Sequence, residues 1–136
     1  MISKITHMNI YVLDQDRACD FYTNKLGFKI ITDVQMSPQA RWLTVGTPEQ
    51  PGLEINLTPV IENQLHSKET VTVLRNLIEK GAFGIAVFTC NDIYATYEEL
   101  KAKGVEFTKA PTKEFYGTEA LFKDDSGNWF SLAQLN

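Results

Sequence analysis

Two short runs of this chain carry polar groups where an ordinary strand would be plain. HMNIYV begins at His7 and EINLTP begins at Glu54. Side chains along a strand alternate between two faces. In the first run Met8, Ile10 and Val12 form the apolar set, which sends His7, Asn9 and Tyr11 to the opposite face. In the second, Leu53, Ile55 and Leu57 are the packing set, leaving Glu54 and Asn56 opposite. A third run, WFSLAQ, packs Phe130 and Leu132 and turns out Trp129, Ser131 and Ala133. An imidazole, a carboxylate, carboxamides and a hydroxyl on faces turned away from the core can orient one polar end of a guest. Tyr11, Trp42, Phe88, Phe115, Tyr116 and Trp129 supply aromatic surface for the rest of it.

These runs are positioned by a repeat. HMNIYVLDQDRACDFYTNKLGFKI (7–30) and GIAVFTCNDIYATYEELKAKGVEF (84–107) share one pattern: strand, capping turn, amphipathic helix, glycine, strand. Ala18 aligns with Ala95 at an offset of 77, and the same offset places Gly27 on Gly104 and Asp14 on Asn91. The glycines suit the left-handed residue that ends a helix, and the Asp and Asn suit its cap. Downstream, 41–59 falls on 118–136 at the same offset, each a strand, a turn and a strand. Between the modules, Val71, Leu74, Leu77 and Ile78 have helical spacing, with Ser67 at the start and Gly81 at the end. The segment 114–120, EFYGTEA, reads as a loop entering a strand and forming a lid.

The predicted fold is α+β: two βαβββ modules related by pseudo-twofold symmetry, forming an open eight-stranded concave sheet with helices outside. Module one is 1–60, a linker loop and helix is 61–81, and module two is 82–136, together one domain over 1–136. By the offset, His7 is matched by Gly84 and Glu54 by Ser131, while Ile85 and Val87 pack and Phe88 shares the face of His7.

Composition bounds the partners. Hydrophobic residues make up 43% and charged residues 22%, near the average of soluble domains. A net charge of −4 and a pI near 5.1 disfavour nucleic acid and anionic membrane surfaces. No apolar run is long enough to span a bilayer. The N-terminus lacks the apolar stretch of a signal peptide, and Cys19 and Cys90 read as reduced thiols, so the expected compartment is the cytoplasm.

The motifs THMNIYVLDQDRACDFYTNKLGFKI, with its FY…LGF spacing, NDIYATYEELKAKGVEF and SGNWFSL resemble the vicinal oxygen chelate superfamily of glyoxalase I, bleomycin-resistance proteins and extradiol dioxygenases, over essentially the whole chain. The resemblance implies a divalent metal held by a His and a Glu from each half. His7 and Glu54 match the first pair; Gly84 and Ser131 stand where the second His and Glu are expected. What remains is a half-site, which implies no metal or a weakly bound one (Zn, Ni, Fe or Mn), unless Asn56, Glu119, Cys90 or a partner chain completes it. The expected function is binding or sequestering a small organic ligand, with the pocket formed by His7, Asn9, Tyr11, Trp42, Glu54, Asn56, Phe88, Tyr116, Trp129 and Ser131. The alternative is a metal-dependent lyase, dioxygenase or isomerase with substitute ligands, other than a standard glyoxalase I. The resemblance also implies a homodimer.

Overall fold

The alternation around His7 is realised as strand β1 (His7–Val12), followed by helix α1 (Gln15–Asp20), which runs on into one π turn (Phe21–Lys25). Strands β2 (Lys29–Ser37), β3 (Ala40–Gly46) and β4 (Glu54–Pro59) complete a four-stranded sheet in the order β1-β4-β3-β2. Asp14 caps α1 by accepting from the Arg17 N–H at 2.9 Å, and Gly27, at φ +79°, turns the chain out of the π turn. Ala18, Phe21 and Tyr22 bury against Ile10, Val12, Leu43, Val45 and Leu57 on one face of the sheet. Each large apolar side chain so buried contributes about 1.5–3 kcal/mol. The buried Gln15 ties the helix start to the sheet: its Nε2 donates to the carbonyls of Arg41 and Leu57, both at 2.8 Å, and its Oε1 accepts from Arg41 N–H at 3.0 Å.

The computed structural model describes residues 1–136 and divides them into two units, 1–76 and 77–136, with the boundary inside helix α2 (Lys68–Glu79). Ser67 caps α2 through its Oγ, which accepts from Thr70 N–H at 3.2 Å, and Gly81 ends it at φ +74°. The second unit repeats the first: β5 (Gly84–Thr89), α3 (Ile93–Ala102), β6 (Glu106–Glu114), β7 (Gly117–Lys123) and β8 (Trp129–Leu135), with sheet order β5-β8-β7-β6. In both sheets the outer pair β1/β4 or β5/β8 is parallel and the rest antiparallel. The fold is the α+β arrangement of two βαβββ modules expected from the repeat, its eight strands present as two sheets of four.

The offset of 77 is not constant, and the three places where it breaks decide which residues correspond. The cap of α3 is Asp92, whose Oδ1 accepts from Ala95 N–H at 3.1 Å, so the counterpart of Asp14 is Asp92 and the alignment with Asn91 was one residue short. Unit one recovers the extra residue in the π turn, after which Gly27 and Gly104 agree. The ladder of β5 with β8 has a bulge between Gly84 and Ala86, which reverses the faces beyond it. Finally, the β3–β4 connection spans 47–53 and the β7–β8 connection only 124–128. The shorter turn is closed by Asp124, whose Oδ1 accepts from the N–H groups of Ser126, Gly127 and Asn128.

Three expectations are corrected by these breaks. Val87 does not pack: beyond the bulge it pairs with Ser131 and is 61% exposed. Phe88 is not on the face of His7: beyond the bulge it pairs with Leu132 and stacks, half-buried, on the core rings Phe130 and Phe122, with ring centroids 4.8 and 6.2 Å away. Ser131 is not the counterpart of Glu54. Thr44 pairs with Asn56 and Leu121 with Ser131, so Ser131 corresponds to Asn56. His7 pairs with Glu54 and Gly84 pairs with Trp129, so the counterpart of Glu54 is Trp129.

Candidate functional site

The face of the first sheet opposite α1 carries a chain of polar contacts. His7 Nε2 lies 3.3 Å from Glu54 Oε2, and His7 Nδ1 hydrogen-bonds Thr6 Oγ1 at 3.0 Å. The other carboxylate oxygen of Glu54 accepts from Thr44 Oγ1 at 2.7 Å, and Thr44 Oγ1 in turn accepts from Thr32 N–H at 3.1 Å. Thr44 is fully buried, so it fixes the carboxylate from below. Trp42 extends over the same face, its ring 6.1 Å from that of His7 and tilted by 44°. It keeps 44% of its surface exposed, a large apolar group left open beside the His7–Glu54 contact. One strand position along, Asn56 Nδ2 donates to Asn9 Oδ1 at 3.1 Å and Thr58 Oγ1 donates to the same oxygen at 3.2 Å. Tyr11 meets His66 edge-on at 5.5 Å.

The second sheet places a different set on its corresponding face. Ser131 Oγ donates to Glu119 Oε2 at 2.6 Å, and Lys109 Nζ bridges Glu119 and Glu114 at 3.1 and 3.0 Å. Tyr116 also hydrogen-bonds Glu119. The Ser131 hydroxyl, then Lys109 and Tyr116, hold the Glu119 carboxyl below its ordinary value against the opposing effect of burial. Burial, and then the hydrogen bond to Glu119, push the Tyr116 phenol up. The segment around Tyr116 is a tight turn at 115–116 that enters β7 at Gly117, the loop into a strand expected over 114–120; the Phe115 carbonyl accepts from Asn136 Nδ2 at 3.1 Å. Where unit one has His7 beside Glu54, unit two has Gly84 beside Trp129.

Of the residues proposed from sequence, the structure brings His7, Glu54, Trp42, Asn9 and Asn56 together on one sheet, with Tyr11 at the end of the same strand. It brings Ser131 and Tyr116 together on the other, places Trp129 against Gly84, and turns Phe88 onto the core ring of Phe130. Thr44 and Lys109 were missed. Thr44 is two residues from Trp42 on the same strand, so the alternation that exposed Trp42 also located Thr44.

A family metal would need three or more protein ligands. His7 and Glu54 offer two, at a separation that also suits a direct hydrogen bond. No group of three or more His, Cys, Asp and Glu side chains converges in the chain. The counterpart pair, Gly84 and Trp129, has no ligand atom, and the Glu119 carboxylate is engaged by Ser131, Lys109 and Tyr116. The donor set therefore does not fit the four-ligand metal centre. Cys19 and Cys90 are both free thiols, pushed up chiefly by burial and so held in the protonated form.

The fold, the repeated module and the whole-chain motifs define one class of protein. The profile of the Glyoxalase/Bleomycin resistance protein/Dioxygenase superfamily matches residues 4–132, and the chain belongs to that superfamily. It is 36% identical to YetH of Bacillus subtilis over 134 residues, covering 98% of this chain and all of YetH. Among solved structures, UcmS2 is 45% identical with a TM-score of 0.92, covering 98% of each chain. TnmS3, an antibiotic binding protein from Streptomyces sp. CB03234, is 26% identical with a TM-score of 0.72, covering 99% of this chain and 98% of its own. No helix is long and apolar enough to cross a membrane.

Proposed function

We propose that this protein binds a small organic molecule reversibly and holds divalent metal weakly or not at all. The observation that carries this reading is the exchange of the His7–Glu54 pair in unit one for Gly84 and Trp129 in unit two. A ligand pair is replaced there by a bare backbone and an indole, which favours apolar contact over coordination. Metal-assisted isomerisation of the glyoxalase type needs a metal to polarise the substrate and a second-half carboxylate to move the proton. Ser131, at the Glu position of the run SGNWFSL, has no carboxylate to move a proton, and the register partner of Gly84 is Trp129. His7 and Glu54, braced by Thr44, are suited to orienting one polar group of a guest whose apolar body lies on Trp42. The similarity to the antibiotic binding protein TnmS3 supports sequestration as the use of that binding. The net charge of −4 and the free thiols Cys19 and Cys90 agree with a cytoplasmic protein that has no nucleic-acid partner.

The test joins metal analysis to titration. Protein purified without chelator is expected to carry well under one equivalent of zinc, nickel, iron or manganese. Calorimetric titration with bleomycin and a panel of natural-product antibiotics is expected to find a guest whose binding weakens in His7→Ala with no release of metal. One tightly held metal per chain, lost in both His7→Ala and Glu54→Ala, would overturn this reading in favour of a lyase, dioxygenase or isomerase with substitute ligands.

A further inference from the structure

Gly84 has no chemistry of its own, and its backbone does not account for its being glycine. Six other glycines have positive φ, a conformation costly to residues with a Cβ; Gly84 is not among them. The reason lies in its register partner on β8. A Cβ added at Gly84 would fall 2.3 Å from Trp129 Cζ2 and 2.6 Å from both Cε2 and Cη2. These distances are far inside van der Waals contact, so the indole occupies the volume that any side chain at 84 would take. Trp129 is nevertheless 36% exposed. A large ring that is seated on backbone and still partly open is a surface fit for stacking.

Its surroundings direct what stacks there. Ser131 follows two residues along on the same face, with Glu119, Lys109 and Tyr116 behind it, so the ring borders a polar patch whose groups already bond one another. We propose that Gly84 is a positioning residue for ligand binding: by leaving β5 bare it lets the Trp129 indole lie against the strand as a platform, and the platform takes a planar aromatic or heteroaromatic molecule. The proposal rests on the small-molecule reading above and adds to it the ligand class and the residue that shapes the surface.

The test compares a flat ring with a saturated one of similar size and polarity. Nicotinamide and cyclohexanecarboxamide are titrated separately into the full chain and followed by two-dimensional NMR. The wild type is expected to prefer nicotinamide by about five-fold, the scale of one aromatic pair. In Gly84→Ala, whose backbone conformation alanine can adopt, the preference should fall below about two-fold. Trp129→Leu should erase it, and Gly84→Ala combined with Trp129→Leu should be no weaker than Trp129→Leu alone, because the glycine acts only through the ring. The chain has two tryptophans, Trp42 and Trp129, so in a Trp42→Phe background the fluorescence of Trp129 reports whether Gly84→Ala moved the ring. An unchanged nicotinamide preference in Gly84→Ala, additive losses in the double variant, or no binding of either probe would each overturn the proposal. The antibiotic titration and metal analysis decide the wider binding reading separately.

Discussion

At the scale of single residues the candidate site turns on which groups a buried partner holds still. Thr44 serves both Glu54 and the Thr32 N–H, and its own side chain is sealed from water. Thr44→Val keeps the shape and removes the hydroxyl. It takes the acceptor from the half-buried Thr32 N–H and the donor from Glu54, which together cost about 1–3 kcal/mol. Thermal unfolding should fall by roughly 3–10 °C, and guest affinity should fall with it because Glu54 loses its brace. A variant as stable as the wild type would show that Thr44 is dispensable. Glu119 yields a pH prediction. Its carboxyl is held below the ordinary value of 4.5, first by the Ser131 hydroxyl. A depressed carboxyl stabilises the fold at pH above its unfolded value, and the stabilisation is lost as pH falls through its lower folded value. Ser131→Ala should therefore bring acid unfolding to higher pH, while stability differences between the two proteins shrink at pH low enough to protonate Glu119 in both. A denaturation series from neutral pH into this acid range checks it, and coincident pH profiles would refute it. The faces of His7, Asn9, Glu54 and Asn56 were legible because clean alternation needs only local sequence. Phe88 was misread because a bulge one turn earlier reverses the alternation, and nothing in GIAVF marks it.

At the scale of elements, the repeat was legible and its exceptions were not. The Asp14 cap, both terminal glycines and the linker helix follow from residue types at helix ends, whereas the second cap is Asp92, one residue beyond the expected Asn91. The π turn, the bulge and the longer β3–β4 connection each change the count by one or two residues without changing the pattern of apolar positions. A constant offset carried across them pairs Glu54 with Ser131 and misses Trp129. The turn that sets the β8 register is itself a sensitive point. Gly127 has φ +117°, and a Cβ there would lie 2.3 Å from the Ile78 carbonyl oxygen at the end of α2, a backbone atom that cannot swing aside. Gly27, at φ +79°, would meet nothing within 4 Å. Gly27→Ala therefore bears only the backbone cost of about 1–2 kcal/mol. Gly127→Ala adds displacement of the α2 end and should lower the melting temperature at least about twice as far. Calorimetry on the two variants compares them directly, and equal losses would mean that the contact between Gly127 and α2 relaxes freely.

At the scale of the whole molecule, the chain is two small units whose sheets each leave two strands unpaired on one side, β1 and β2 in the first and β5 and β6 in the second. Open edges invite pairing with another chain unless they are covered or charged. Val34 and Met36 on β2 and Val87 on β5 are half-exposed or more, so apolar side chains accompany these edges. Units of about this size bury a smaller fraction of their surface than larger domains do, and association is one way to recover the difference. We therefore expect a homodimer in solution. Light scattering at micromolar concentration should give a mass near twice 15.4 kDa. Charge placed at these positions should weaken association by mass action without unfolding either unit. Val34→Lys and Val87→Lys should accordingly raise the concentration at which the dimer dissociates, read by sedimentation over a dilution series. A monomer mass for the wild type at micromolar concentration would refute the dimer. A dimer indifferent to both substitutions would place its contact away from β2 and β5.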